Sequence, residues 1–146
     1  MSKIVELSIT QETGKEMEKM KILKLIAGKG ILTDRYFKEN NYPEKQITLI
    51  ESENIDLFNQ KLGTKNSYID FRRNVITKNV ALNNLIGKKF YLGKVLIKGI
   101  ILCEPCKYLQ DKLKNLNLVK TLVHRGGLRC EILTNGEIKV NDEIKL

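Results

Sequence analysis

Apolar and polar residues alternate over many short stretches of this chain, and that period of two predicts strands. Ile4 to Thr10 and Ile22 to Ile26 read as the first two, the second stopped by Gly28 and Gly30. Gln46-Ile-Thr-Leu-Ile50 is short and β-branched, a third strand. The spacing then changes. Ser52 is a candidate cap, Glu53 sits where a helix start favours an acid, and Ile55, Phe58 and Leu62 recur three and four apart before Gly63, so a helix is predicted over 52–62. Phe71 to Thr77 reads as a strand and Leu82 to Ile86 as one helical turn ending at Gly87. Lys89 to Leu92 and Val95 to Leu102 alternate around Gly93 like a hairpin. Leu109, Leu113 and Leu116 make an apolar stripe over a predicted helix 107–116, and Leu118 to His124 reads as another, ended by Gly126-Gly127. Leu128 to Leu133 and Glu137 to Val140 are predicted to pair around a Thr134-Asn135-Gly136 turn, with Asp142 to Leu146 as a last strand. Short strands with frequent turn signals predict a mainly β fold, a barrel with a few short peripheral helices rather than a βαβ sheet.

The chain has 146 residues, no internal repeat and no Pro/Gly/Ser-rich linker, so one domain over 1–146 is expected. No run of about 18 apolar residues exists, and the first residues carry acids instead of a signal-peptide core. A cytoplasmic protein with no membrane partner is expected. The net charge of +9 comes mostly from Lys spread along the chain, a solvated surface more readily than a nucleic-acid footprint. Three cysteines, an odd count without an export signal, read as free or reactive thiols rather than a disulfide framework.

The sharpest local feature is Leu102-Cys103-Glu104-Pro105-Cys106-Lys107, between an apolar strand and a predicted helix. A helix start and the Lys107 cation both favour thiolate over thiol, the form that attacks or binds metal. Cys106 is the better placed thiol; Cys103 belongs to the strand end. Two buried small hydrophobes are the bland reading of the same pair. A zinc site could recruit Cys103, Cys106, His124 and Cys130, although the second half of that set has poor spacing. A thioredoxin-like site expects a βαβ context, and a serine triad has one His and no nucleophile elbow. In Asp70-Phe-Arg-Arg-Asn-Val75, strand alternation would put Arg72 and Asn74 on one face, suited to an oxyanion, with Arg73 pointing away; taken alone, the segment reads equally as one Arg pairing with Asp70 or capping a barrel end. Thr33-Asp34-Arg35-Tyr36 either orients a ligand or staples its loop. His124-Arg125-Gly126-Gly127 has the chemistry of a helix C-terminus, a cation followed by glycine.

Taken in order, these pieces resemble the MOSC family, the module named for the C-terminal domain of molybdenum cofactor sulfurases. Gly28 to Arg35 resembles its Gly-x-x-Gly-Asp-Arg loop, with Thr33 in place of the last Gly. Gln46 to Ile50, Phe71-Arg-Arg-Asn-Val75 and Leu82 to Gly93 resemble its next three elements, and Cys103-Glu-Pro-Cys106 followed by His124-Arg-Gly-Gly127 is similar to short bacterial members. The resemblance implies a barrel-like β fold and a cysteine, here Cys106, that accepts sulfur as a persulfide or ligates the molybdenum of a pterin cofactor (molybdopterin). It implies that Arg72 faces the cofactor's phosphate. Asn74, Asp34, Arg35, His124 and Arg125 join it as candidate cofactor-binding residues. Set beside larger relatives, the chain is expected to lack the additional N-terminal barrel domain and any pyridoxal-phosphate desulfurase domain. A partner, a cysteine desulfurase or a molybdoenzyme, would then supply the sulfur or the cofactor. Three functions follow as expectations: a cofactor-binding or sulfur-carrying module, a cofactor-dependent reductase of N-hydroxylated compounds, and a zinc- or nucleic-acid-binding module.

Overall fold

A computed structural model describes residues 1–146. Eight strands build a curled half-barrel sheet: β1 (Lys3–Ile9), β2 (Glu18–Met20), β5 (Ile47–Glu51), β6 (Val75–Lys78), β7 (Lys89–Leu92), β8 (Val95–Leu102), β9 (Leu128–Ile132) and β11 (Ile144–Lys145). Their spatial order is β11-β7-β8-β9-β5-β6-β1-β2. A second sheet joins β10 (Gly136–Lys139), β3 (Ile22–Ile26) and β4 (Gly30–Ile31) in that order. The helices are α1 (Ser52–Leu62), α2 (Lys107–Lys112) and α3 (Leu118–Leu122), with 3-10 turns at Pro43–Lys45, Tyr68–Phe71 and Leu82–Leu85. The fold is mainly β with few short helices, as the alternation predicts. No helix is long and apolar enough to cross a membrane.

Strands β5 and β6 explain the layering. Successive side chains on a strand point to opposite faces, so a strand buried on both faces reads as a continuous apolar run. Ile47 and Leu49 of β5 and Val75 of β6 enter a core of 21 buried residues that also takes Leu23, Leu25 and Ile138 from the second sheet. Their neighbours Ile50 and Ile76 enter a separate core of eight, closed by Ile55 and Phe58 of α1, Phe71, Leu109 of α2, and Leu118 and Leu122 of α3. Phe58 and Phe71 meet edge to face, 5.4 Å between ring centres. The helices therefore cover one outer face of the half-barrel.

Several predicted elements need correction. β5 and β6 are parallel, joined by α1, so one βαβ unit does occur among otherwise antiparallel pairs. Residues 71–77 do not form one strand. A 3-10 turn ends at Phe71, and Arg72 adopts left-handed φ of 60° before β6 begins at Val75. α2 stops at Lys112 because Lys114 turns left-handed and the Asn115 Oδ1 accepts the Asn117 N–H, which ends the turn and starts α3. Leu116 is consequently exposed. Thr134-Asn135-Gly136 does not close a hairpin. β9 and β10 belong to different sheets, the Asn135 Oδ1 accepts the Ala27 N–H at 2.7 Å, and β10 pairs with β3. α1 matches its predicted span, with Gly63 left-handed at its end, although Glu51 rather than Ser52 occupies the cap position.

Candidate functional site

The site begins where β8 runs out. Just past the end of β8, the Cys103 N–H donates to the Gly127 carbonyl at 2.8 Å, and Cys103 is buried. Pro105 is also buried and the chain then turns outward, so Cys106 is exposed at the cap position of α2. Its thiol makes no capping hydrogen bond. Cys130 is fully buried in β9, and burial, with Cys103 nearby, pushes its thiol well up from the ordinary range. Of the three thiols, only Cys106 can meet a partner from solution.

Residues 124–127 pack directly on this motif. A Cβ on Gly126 would run into the Cys103 carbonyl and Pro105. The two segments are joined by Arg73, whose Nε donates to the Gly126 carbonyl at 2.9 Å and whose Nη2 donates to the Cys103 carbonyl at 3.3 Å. Nη1 donates to the Phe71 carbonyl at 3.2 Å. This buried guanidinium thus has neutral acceptors and no carboxylate, and it fixes the backbone that presents Cys106. Glu104 holds the other end of the loop. Its Oε1 accepts the His124 N–H and its Oε2 meets the His124 Nδ1, both at 2.7 Å. His124 itself has left-handed φ of 61° and an exposed ring. Glu104 escaped the sequence reading because its partner lies twenty residues away, and no local pattern marks it.

Arg72 takes a different direction. Its Nη1 donates to the Lys15 carbonyl at 2.8 Å, and its guanidinium carbon lies 5.8 Å from the centre of the Tyr108 ring, in the first turn of α2. It lines a cleft of about 250 Å³ together with Glu16, Met17, Asp70, Lys112 and Lys114. The Lys112 Nζ donates to the Gly14 carbonyl at 3.2 Å, tying α2 to the opposite wall. Arg72 therefore lies alongside the helix that Cys106 begins.

The remaining candidates separate. Asn74 is buried inside the sheet: Oδ1 accepts the Thr48 N–H and hydroxyl, both at 3.1 Å, and Nδ2 donates to the Ser8 carbonyl at 3.2 Å. It does not stand beside Arg72 as strict alternation would have it, because the left-handed Arg72 breaks the strand period. Asp34 is buried and accepts from the Thr10 N–H, the Tyr36 N–H and the Arg35 Nη1, each at 3.3 Å. Burial pushes its carboxyl up from the ordinary range; Arg35 and the backbone donors pull the other way. Arg35 also reaches Met17 Sδ at 3.4 Å, so the pair braces a wall of the Arg72 cleft. Arg125 is exposed on another side of the helical layer, against α1 and α3. No three His, Cys, Asp or Glu side chains gather as a metal-binding group, so the four proposed zinc ligands are not brought together.

Comparison with known proteins bears on the fold and the family. A crystal structure of the YuaD protein from Bacillus subtilis superimposes with a TM-score of 0.83, at 17% identity over 99% of this chain and 94% of that one. YiiM from Geobacillus stearothermophilus gives 0.81 at 15% identity, covering all of this chain and 75% of that one. YiiM from Escherichia coli gives 0.71 at 16% identity, again over the whole chain and 69% of that protein. At such identities these likenesses establish the fold alone. No curated protein matches in sequence. The model of the MOSC domain matches residues 34–145, from the buried Asp34 to the penultimate residue and including the whole Cys103–Cys106 motif. The chain belongs to the MOSC domain family.

Proposed function

We propose that this chain handles the molybdenum cofactor through Cys106, with the thiolate as metal ligand or as carrier of a sulfur atom. The observation that carries the reading is the placement of an exposed, uncapped thiol at the start of α2 and of the Arg72 guanidinium against Tyr108 in the same turn. The residues suit such a group. A thiolate is a soft ligand, matched to a soft metal and to sulfur transfer. Arg72 and Lys112 would hold an anionic end by charge-assisted hydrogen bonds, and Arg35, through Met17, braces that wall. When bound, the cofactor would supply the redox chemistry. The chain's own part is to present one sulfur on a backbone locked by Arg73 and Gly126.

In the carrier mode, the Cys106 thiolate attacks the outer sulfur of a donor persulfide. The donor's S–S bond breaks, its thiolate leaves, and Cys106 keeps the S–SH group. A cysteine desulfurase or a molybdoenzyme fits the partner's role. Purification from cells that make the cofactor, followed by metal, pterin and persulfide analysis, tests the reading. Molybdenum with pterin at Cys106 supports the ligand mode, and persulfide without molybdenum supports the carrier mode. Arg72→Ala should weaken cofactor retention by about 1.5–3 kcal/mol. A protein that holds neither group, or only zinc, contradicts the proposal.

A further inference from the structure

The cations of this chain are unevenly placed. Residues 107–129 hold six Lys or Arg side chains and one acid, Asp111. Part of that excess converges on a cleft of about 390 Å³ between the end of α1 and α3. Lys61 and Leu62 form one wall; Asn117, Lys120, Thr121 and Arg125 form the other. No acidic side chain lines it, and it shares no residue with the Arg72 cleft, which contains Glu16 and Asp70.

Like charges brought together on separate elements repel, and the usual remedy is an acid between them. None of the five ion pairs of the molecule involves Lys61, Lys120 or Arg125. The Asn117 amide and the Thr121 hydroxyl donate to no group in the chain, so their hydrogen-bonding capacity is also unspent. Backbone bonds fix their positions: the Thr121 N–H donates to the Asn117 carbonyl and the Arg125 N–H to the Leu122 carbonyl. Three unpaired cations, two free polar side chains and an apolar wall at Leu62 make a cavity of a size that small ligands occupy.

We infer that the cleft lined by Lys61, Lys120 and Arg125 is an anion site for a small phosphate-bearing molecule, separate from the Cys106 and Arg72 site. A dianionic phosphate would accept from the guanidinium and both ammonium groups, and Asn117 and Thr121 would add neutral donors. Leu62 offers an apolar surface to whatever group the phosphate carries. The inference does not depend on the function of Cys106.

The test is titration of the full chain with inorganic pyrophosphate at constant ionic strength, followed by amide chemical shifts. Saturable shifts are expected at residues 61–62 and 117–125. The Lys120→Gln/Arg125→Gln double variant should weaken them at least about tenfold. Lys61→Gln alone should weaken them less, and Arg72→Ala or Cys106→Ser should leave them unchanged. All three cations are exposed, so these variants keep the fold, which circular dichroism checks. The inference is overturned by the absence of saturable shifts, by equal shifts with sodium chloride, or by shifts that vanish with Arg72→Ala instead. Binding of an RNA oligomer that strengthens with length and spreads beyond these residues also overturns it, since the surface would then follow a polyanion.

Discussion

Arg72 and Arg73 are adjacent in sequence and play different parts. Arg73 spends its guanidinium on the carbonyls of Phe71, Cys103 and Gly126, while Arg72 borders an open cleft. The Arg-Arg-Asn pattern was legible as a polar group of interest, but its roles were not. They depend on the left-handed turn at Arg72, which strand alternation cannot foresee. Lysine offers one point charge where Arg73 uses three nitrogens, so Arg73→Lys strands buried acceptors. It should cost about 2–3 kcal/mol in urea unfolding; an unchanged midpoint would mean that the clamp is dispensable. Asp34 gives a pH signature. Its folded carboxyl titrates above its unfolded value, so its favourable contribution is complete at low pH and declines as pH rises through the folded value. Relative to Asp34→Asn, wild-type stability should fall as pH rises through and above the ordinary carboxylate range. A rise over that range would show that Arg35 and the backbone donors outweigh burial.

At the scale of elements, local signals served where the partner is local. The three-and-four spacing of Ile55, Phe58 and Leu62 with Gly63 marked α1 correctly. Asn-Gly at 135–136 misled because the Asn135 side chain is committed to Ala27, more than a hundred residues earlier, and because β10 completes a different sheet. The β2 and β4 strands were missed: at three and two residues they are too short for a periodic signal. Gly126-Gly127 predicts a helix stop, yet α3 ends earlier, at Leu122. The pair is instead a place of close backbone approach. Gly127 has φ of 113°, and a Cβ there would strike the Leu49 carbonyl. Gly127→Ala should therefore destabilise by about 2 kcal/mol or more in thermal or urea unfolding. A neutral result would refute the tight packing of this loop on β5.

For the whole molecule, the mainly β architecture and the family were readable because five separated segments keep their order along the chain. The topology was less so. Parallel pairing of β5 with β6, and two cores on opposite faces of the same strands, come from long-range contacts. Those shared strands bear on stability. Leu49 and Ile50 belong to different cores, so neither core can be lost without disturbing the other. We propose that residues 1–146 unfold as one cooperative domain. Fluorescence of the tyrosines and far-ultraviolet circular dichroism should then give coincident urea transitions; separated transitions would assign the helical layer to an independent unit.

The assignment of the chemistry to one sulfur makes the sharpest demand. Cys106 is exposed on a braced backbone, whereas Cys103 and Cys130 are buried within the sheet and its edge. The direct measurement is the amount of molybdenum, pterin and persulfide sulfur held by Cys106→Ser, Cys103→Ala and Cys130→Ala variants purified in parallel from cofactor-making cells. The two buried-site variants should keep the wild-type load per folded molecule, and Cys106→Ser should hold none. A full load on Cys106→Ser, or its loss from a folded Cys103→Ala or Cys130→Ala protein, would contradict the assignment.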